Sequence, residues 1–379
     1  MAGDGGPGWL ALAAVGLVVA ALAALGGCAA DPDDLGPWPD LEAGLDAREP
    51  LACAAPAALP ERLSEHPCFA GSPPRPVAGF VPYDVQAPFW SDGLSKQRAV
   101  AVPDRAEVAA DDGGALALPV GSIALKELGD GDRPVETRLL VVGDDGRAAG
   151  ASYRWEEGGA DARRVDEATE VDVDGGRWTV PGPDDCGDCH TGPTGLLGLR
   201  VAQLNGDLAY PGGRTANQIA TWVRIGLLDA GDLARPDELD RMARTDVAGD
   251  PEAERARAYL DSNCAHCHRP GGEGGTALDL RWTTPLDLMH ACDAPAELGD
   301  PWDGEGRVIA PGRADRSILL SRIASDDPLW RMPPVGSAQV DRDAVDLLAA
   351  WIDDLSRCDG TGGGRSRWSG AGSPGTMDR

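Results

Sequence analysis

Two copies of one short motif constrain this chain more than any other feature. Cys186-Gly-Asp-Cys189-His190 and Cys264-Ala-His-Cys267-His268 are both C-x-x-C-H runs, in a chain with only 5 histidines. This spacing is the attachment signature of c-type haem, in which two thiols bond one porphyrin and the histidine binds its iron. Each motif therefore needs a fold that encloses a porphyrin, and the sequence predicts two covalently attached haem c groups.

A zinc site built from the same four cysteines is the alternative. Zinc ribbons separate their two C-x-x-C pairs by about 15–20 residues, whereas 74 positions separate His190 from Cys264 (264 − 190). The spacing favours haem. The haem-binding residues predicted from the motifs alone are Cys186, Cys189, His190, Cys264, Cys267 and His268.

The charge of the chain limits its partners. Asp and Glu number 62 against 34 Lys and Arg, which gives a formal net charge of −28. Nucleic acid is excluded as a partner because phosphate contacts need clustered cations. An acidic surface favours a basic docking partner, although adaptation to salt or a GC-rich genome explains the charge equally well.

The N-terminus predicts export. Residues 9–25 are apolar, and Leu25-Gly-Gly-Cys28 follows them. This end resembles a bacterial lipobox, which implies a signal at 1–28 and a lipid on Cys28 that anchors the protein at the periplasmic or outer side of a membrane. Residues 1–8 contain Asp4 and no Lys or Arg, unlike most signals. An ordinary cleaved signal peptide and an uncleaved anchor are the alternatives.

Four of the 9 cysteines remain after Cys28 and the two motifs are assigned, namely Cys53, Cys68, Cys292 and Cys358. An even remainder in an exported protein favours two disulfides over four unrelated buried thiols. Four cysteines allow three pairings. We favour Cys53–Cys68, a local link, and Cys292–Cys358, a longer closure.

Local patterns predict strands before the first motif and helices after it. Short runs of branched and aromatic residues, divided by Gly, Asp and Pro clusters, indicate a sandwich or small antiparallel sheet. Residues 139–142 and 151–155 form a predicted hairpin around 143–146. Residues 341–355 have the apolar periodicity of an amphipathic helix, with Asp341 as its cap.

The order of features after Cys264 resembles class I cytochrome c over about 250–358. A loop, a short helix at 317–323, Arg331-Met332-Pro-Pro334 and the last helix follow the motif. The resemblance implies an all-α domain with Met332 as the sixth iron ligand; Met289 is a weaker candidate, and a buried filler role for Met332 is the alternative. We expect His266 to be exposed to solvent.

The first motif instead ends a β-rich segment, as in the cytochrome c′-beta family and its hydroxylamine-oxidising relatives. The run from Leu118 to Glu127 and, more weakly, Tyr153-Arg-Trp155 resemble their sequences. The resemblance implies an open iron face, because no sixth ligand is evident; Met242 lies in a polar stretch. Some relatives cross-link a lysine to the porphyrin, but we favour Lys126 as a solvated strand residue.

The predicted fold class is thus α+β: a β-rich N-terminal domain ending in a haem motif, then an all-α class I cytochrome c domain. The expected segments are a signal at 1–28, an acidic tether and disulfide-linked segment at 29–78, the β-rich domain at 79–200, a helical connector at 201–249, the cytochrome c domain at 250–358 and a disordered tail at 359–379.

As a whole, residues 79–355 resemble bacterial diheme c-type proteins that are often associated with quinoprotein sugar-dehydrogenase-like proteins. Gly79-Phe-Val-Pro-Tyr-Asp84 and Pro311-Gly-Arg-Ala-Asp-Arg-Ser-Ile-Leu319 are among the matching runs. The resemblance implies an electron-accepting role, and we favour an electron carrier over an enzyme; such a dehydrogenase is a candidate for its redox partner. The alternatives are a haem enzyme acting on peroxide, nitric oxide or hydroxylamine, and a β-rich binding module for a partner or glycan.

Overall fold

The computed structural model describes residues 47–56, 58–190, 196–211, 213–297 and 299–358. The signal segment, the lipid-bearing Cys28, most of the acidic tether and the tail at 359–379 lie outside these residues. Within the described ranges, none of the helices combines the length and apolar character needed to span a bilayer.

The described strands are mostly short. They are β1 Phe69–Ala70, β2 Arg75–Pro76, β3 Phe80–Pro82, β4 Ser95–Ala101, β5 Ala109–Ala110, β6 Leu116–Ala117, β7 Ile123–Asp130, β8 Arg133–Val142, β9 Ala148–Trp155, β10 Ala162–Arg164, β11 Thr169–Val173, β12 Gly176–Val180, β13 Asp207–Tyr210 and β14 Arg214–Asn217.

The described α-helices are α1 Pro183–Cys189, α2 Val201–Leu204, α3 Gln218–Arg224, α4 Glu252–Asn263, α5 Ile318–Ile323 and α6 Arg342–Asp354. Single turns of 3₁₀ helix lie at Leu63–Glu65, Gly231–Ala234, Pro236–Glu238, Leu286–Leu288 and Ala314–Arg316.

A six-stranded antiparallel sheet organises the N-terminal half, with strand order β10-β9-β8-β7-β4-β3. The predicted hairpin is confirmed: β8 pairs with β9, and Leu139 lies opposite Ala151. Its turn is closed by the Gly143 N–H, which donates to the Arg147 carbonyl. The small antiparallel sheet predicted before the first motif is therefore present.

Alternation along each strand gives the sheet two buried faces. On the first face Ala99 and Ala101 pack with Leu63 and Phe80, beside the Cys53–Cys68 disulfide. On the second face Val100 and Val102 pack with Leu204, Ile219 and Trp222. Both faces are therefore covered by chain from outside the sheet.

The segment at 201–249 is more than the helical connector that we expected. It contains α2, the β13–β14 hairpin and α3. Its Leu204, Ile219 and Trp222 are fully buried against the second face of the sheet. These residues complete the core of the β-rich region, although they follow it at a distance in the sequence.

The prediction of an all-α class I cytochrome c domain at 250–358 is wrong. Between α4 and α5, the described residues, 264–297 and 299–317, contain 3₁₀ turns and isolated β-bridges as their regular structure, such as the bridge joining Cys292 to Ile309. Glycine, proline and aspartate are frequent here, as in Pro270-Gly-Gly-Glu-Gly-Gly275, and these residues interrupt helices. The C-terminal region is therefore largely irregular, with three helices around one apolar core.

The last helix, α6, forms as predicted. Asp341 caps it, since its carboxylate accepts a hydrogen bond from the Ala344 N–H. Leu347, Leu348 and Trp351 lie on its buried face. The Cys292–Cys358 disulfide joins the end of the chain beyond α6 to the irregular stretch, and it matches the favoured pairing.

The two halves of the chain are joined by polar contacts around a small apolar cluster. Arg200 forms an ion pair of 3.1 Å with Asp261 at the end of α4. The Asp92 carboxylate accepts hydrogen bonds from the N–H groups of Ala338 and Gln339. Met242, which the sequence placed in a polar stretch, is fully buried in the apolar cluster.

Candidate functional site

The two C-x-x-C-H motifs share one local backbone geometry. The His190 N–H donates to the Cys186 carbonyl at 2.9 Å, and the His268 N–H donates to the Cys264 carbonyl at the same distance. Each motif therefore forms a helical turn, the first in α1 and the second directly after α4. Residues three and four positions apart share one face of such a turn, so both cysteines and the histidine of each motif lie on one side.

The first motif borders a cavity of about 690 Å³ between the second face of the sheet and the C-terminal region. This volume lies within the range of pockets that hold cofactors and small ligands, about 300–1,000 Å³. Cys186, Cys189 and His190 all line it. The structure therefore brings the three residues of the first predicted haem-binding motif to one open pocket.

A row of cations crosses the sheet inside this cavity. Arg98 lies opposite Lys126, and Lys126 lies opposite Arg138, on adjacent strands. Directly opposed like charges destabilise a sheet, and ion pairs of Arg98 with Asp84 and of Arg138 with Glu136 offset two of the three charges. Burial, followed by the charges of Arg138 and Arg98, lowers the pKa of Lys126 well below its usual value. Lys126 is half-buried on its strand and lines the cavity.

Glu136 holds Arg138 in place, and Trp178 in turn holds Glu136. Its Nε donates to Glu136 Oε1 at 2.5 Å, and the Trp178 Nε1–H donates to Glu136 Oε2 at 2.8 Å. Burial alone would lower the pKa of Arg138, but the ion pair with Glu136 outweighs it and the pKa is raised. Arg138 is therefore a fixed positive charge beside the first motif.

The opposite wall of the cavity comes from the second motif and from the segment after Met332. Ala265, His266 and Pro334 lie on this wall. His266 is half-buried with its ring edge-on to Phe89, at 5.7 Å between ring centres. Burial, followed by the charges of His268 and His190, lowers the pKa of His266 to about 4. The expectation that His266 is exposed to solvent is therefore wrong.

The second histidine, His268, is oriented by its surroundings. Its Nδ1 lies 3.1 Å from Thr276 Oγ1, which leaves Nε2 for a metal bond. Gly274 permits this arrangement, because a Cβ at that position would lie 2.7 Å from His268 Nδ1. Burial, followed by the charge of Arg322, lowers the pKa of His268.

Met332, the predicted sixth ligand, lies on a loop attached to α5. Its N–H donates to the Arg322 carbonyl at 3.2 Å, and the Arg322 guanidinium lies 4.1 Å from the centre of the Trp330 ring. Arg322 thus holds the backbone of the Met332 loop against the end of α5. Met289, the weaker candidate, is fully buried in the apolar core of the C-terminal region, which suits a packing role.

The zinc alternative is not supported by the arrangement of the cysteines. Within the described ranges, the cysteines outside disulfides are the four motif residues. No group of three or more His, Cys, Asp and Glu side chains among those residues is placed to hold a metal ion. The two motifs therefore do not converge on one zinc site.

The residues around the first cavity fit a haem c group. Cys186 and Cys189, which lie outside the disulfides, both line the cavity, and burial raises the pKa of the Cys186 thiol. Ser152 Oγ and Arg331 Nε, on residues that line the cavity, have no hydrogen-bond partner within the described chain. Together with the cation row, they suit the carboxylates of a porphyrin. Haem c supplies one-electron chemistry at its iron.

One comparison with known families gives a match. Residues 299–336 match the family described as Planctomycete cytochrome C. This segment contains Trp330 and Met332. The match supports a cytochrome c-type protein with covalently bound haem c and a haem-based role in electron transfer. Neither a curated protein nor a solved structure shows significant similarity to the chain.

Two features of the site were missed by sequence reasoning. The first is the row of Arg98, Lys126 and Arg138. The alternation of each strand could have indicated that these side chains share a face with other polar positions. The register that aligns them, however, joins residues up to 40 positions apart (138 − 98). The position of His266 in the wall of the first cavity depends on how the two halves pack, and no local pattern indicates it.

Proposed function

We propose that this protein is an exported, membrane-tethered diheme c-type cytochrome, which accepts electrons from a dehydrogenase-type donor and passes them to a downstream acceptor. One observation carries the proposal: residues of the second motif form a wall of the cavity that the first motif borders. Two attachment sites that share a loop in this way suit a relay within one molecule.

Each part of the chain has a defined task in this proposal. His190 and His268 hold the two irons, and the four motif cysteines fix the porphyrins. The cation row of Arg98, Lys126 and Arg138 balances negative charge at the first site. Met332 is the proposed sixth ligand of the second iron, and its backbone is held by the Arg322 carbonyl.

The proposed partners follow from the charge and from the N-terminus. A net charge of −28 favours a donor or acceptor with a basic docking surface. A quinoprotein sugar dehydrogenase is the proposed donor class. The lipid on Cys28 would keep the protein at a membrane, and the acidic stretch after it would act as a tether.

Anaerobic reductive titration with dithionite tests the relay. We expect the native protein to take up two electrons, and the paired variants Cys186→Ser/Cys189→Ser and Cys264→Ser/Cys267→Ser to take up one each. Uptake of a single electron by the native protein would contradict the proposal. With a quinoprotein sugar dehydrogenase and its sugar as the reductant, we expect sugar-dependent reduction, and a lack of it would exclude this donor class.

A further inference from the structure

His266 stands apart from the other residues of the second motif. Cys264, Cys267 and His268 are assigned to the second haem, whereas His266 lines the cavity of the first motif together with Cys186, Cys189 and His190. The motif loop therefore presents one histidine to each of two sites.

The environment of His266 suits a metal ligand. Its ring is half-buried and edge-on to Phe89, which also lines the cavity. Within the described chain, the hydrogen bond at this residue is accepted by its backbone carbonyl, from Arg269 Nε, and none involves the ring nitrogens. A neutral imidazole is the usual nitrogen ligand of iron.

We propose that His266 is the sixth ligand of the first haem, opposite His190. The inference rests on the proposed function in one respect, since it requires a haem at the first motif. Both irons would then be held by side chains of the Cys264–His268 loop, one through His268 and the other through His266. The loop would link the two sites covalently, and the first iron would have no open face for a small ligand.

The other histidines and the methionine that were considered for the first iron lie elsewhere in the described chain. Met242 is fully buried in the apolar cluster between the two halves. His66 is buried behind the first face of the sheet, where its ring packs against Phe69. His290 is exposed to solvent and is not among the residues that line the cavity. Among the described histidines, His266 is thus the one that shares a cavity with His190.

Carbon monoxide binding to the reduced protein tests the proposal. A six-coordinate bis-histidine haem and a methionine-ligated haem bind little else, so we expect essentially no carbon monoxide on the native protein. His266→Ala should bind one carbon monoxide per molecule and show one high-spin haem in its optical and electron paramagnetic resonance spectra. Added imidazole should restore the low-spin spectrum. His290→Asn, which changes an exposed histidine, should behave as the native protein does.

A second variant keeps the test valid if the first one misfolds. His266→Met should stay low-spin but raise the reduction potential of one haem, because a thioether ligand raises the potential. Native protein with two haems that already binds one carbon monoxide, and whose spectra do not change in His266→Ala, would overturn the proposal. A haem count below two would instead contradict the proposed function, so the two failures are distinguishable.

Discussion

Arg138 shows how one residue ties the sheet to the first site. Arg138 lines the cavity beside Lys126 and forms an ion pair with Glu136, whose side chain is 0% exposed. Glu136 also accepts from the Trp178 indole. With both donors present, the buried carboxylate of Glu136 is paired and hydrogen-bonded. Without its cation, the same buried carboxylate would destabilise the folded state strongly.

Replacing Arg138 with Met should therefore destabilise the protein by about 3–5 kcal/mol, because a buried charge is left without its partner. Urea unfolding followed by far-ultraviolet circular dichroism measures the loss. The double variant Arg138→Met/Glu136→Gln removes the stranded charge and should recover a large part of the stability. Equal losses of stability in the single and double variants would show that the unpaired charge of Glu136 is not the cause.

Residues of the segment at 51–80, here called the cover, pack over the first face of the sheet. The 3₁₀ turn at Leu63–Glu65 leads to His66, which is 1% exposed. The Cys68 N–H donates to His66 Nδ1 at 3.1 Å, next to the Cys53–Cys68 disulfide. Burial lowers the pKa of His66 to about 4, so the folded protein requires this ring to be neutral.

The cover should therefore weaken in acid. In the unfolded chain His66 takes up a proton near the ordinary histidine pKa of 6.5, while in the folded protein it does so only near 4. Stability from the neutral ring is complete above pH 6.5 and is lost as the pH falls toward 4, by at most about 3 kcal/mol.

His66→Asn keeps an acceptor for the Cys68 N–H but does not titrate. Thermal unfolding at pH values from about 4.5 to about 7.5, which span most of this range, should show a smaller loss of stability in the variant than in the native protein. If both lose stability at the same rate, His66 is not the titrating group.

At the scale of the whole molecule, the first site exists only because the two halves pack together. Asp92 and Arg200 join the β-rich half to the C-terminal half around the cavity. The cation row comes from the sheet, and His266 comes from the second motif. Neither half holds a complete site by itself.

Most of the features that could be predicted from the sequence are local ones, and the Cys292–Cys358 disulfide, which spans 66 positions, is the exception. The β8–β9 hairpin pairs residues at most 18 positions apart (154 − 136), and the cap of α6 joins Asp341 to Ala344. The pairing of Cys53 with Cys68 also follows from a short separation, 15 positions. In each of these local cases the contact joins residues that are close in the sequence, so a local sequence pattern is enough to predict it.

The features that could not be predicted depend on distant contacts. The resemblance to class I cytochrome c followed the order of features after Cys264, but the chain between α4 and α5 is irregular rather than helical. Likewise, the burial of Trp222 against the sheet joins residues more than 100 positions apart (222 − 100 for Val100). Order along the chain does not specify such packing.

The presence of two haem c groups in one chain can be decided by a haem count. The full chain should be produced in a host that exports it and attaches haem c, then measured by the pyridine haemochrome spectrum and by intact mass. We expect two covalent haems per molecule, and one after Cys186→Ser/Cys189→Ser. A native protein with a single covalent haem, or with none, would contradict the proposed diheme relay.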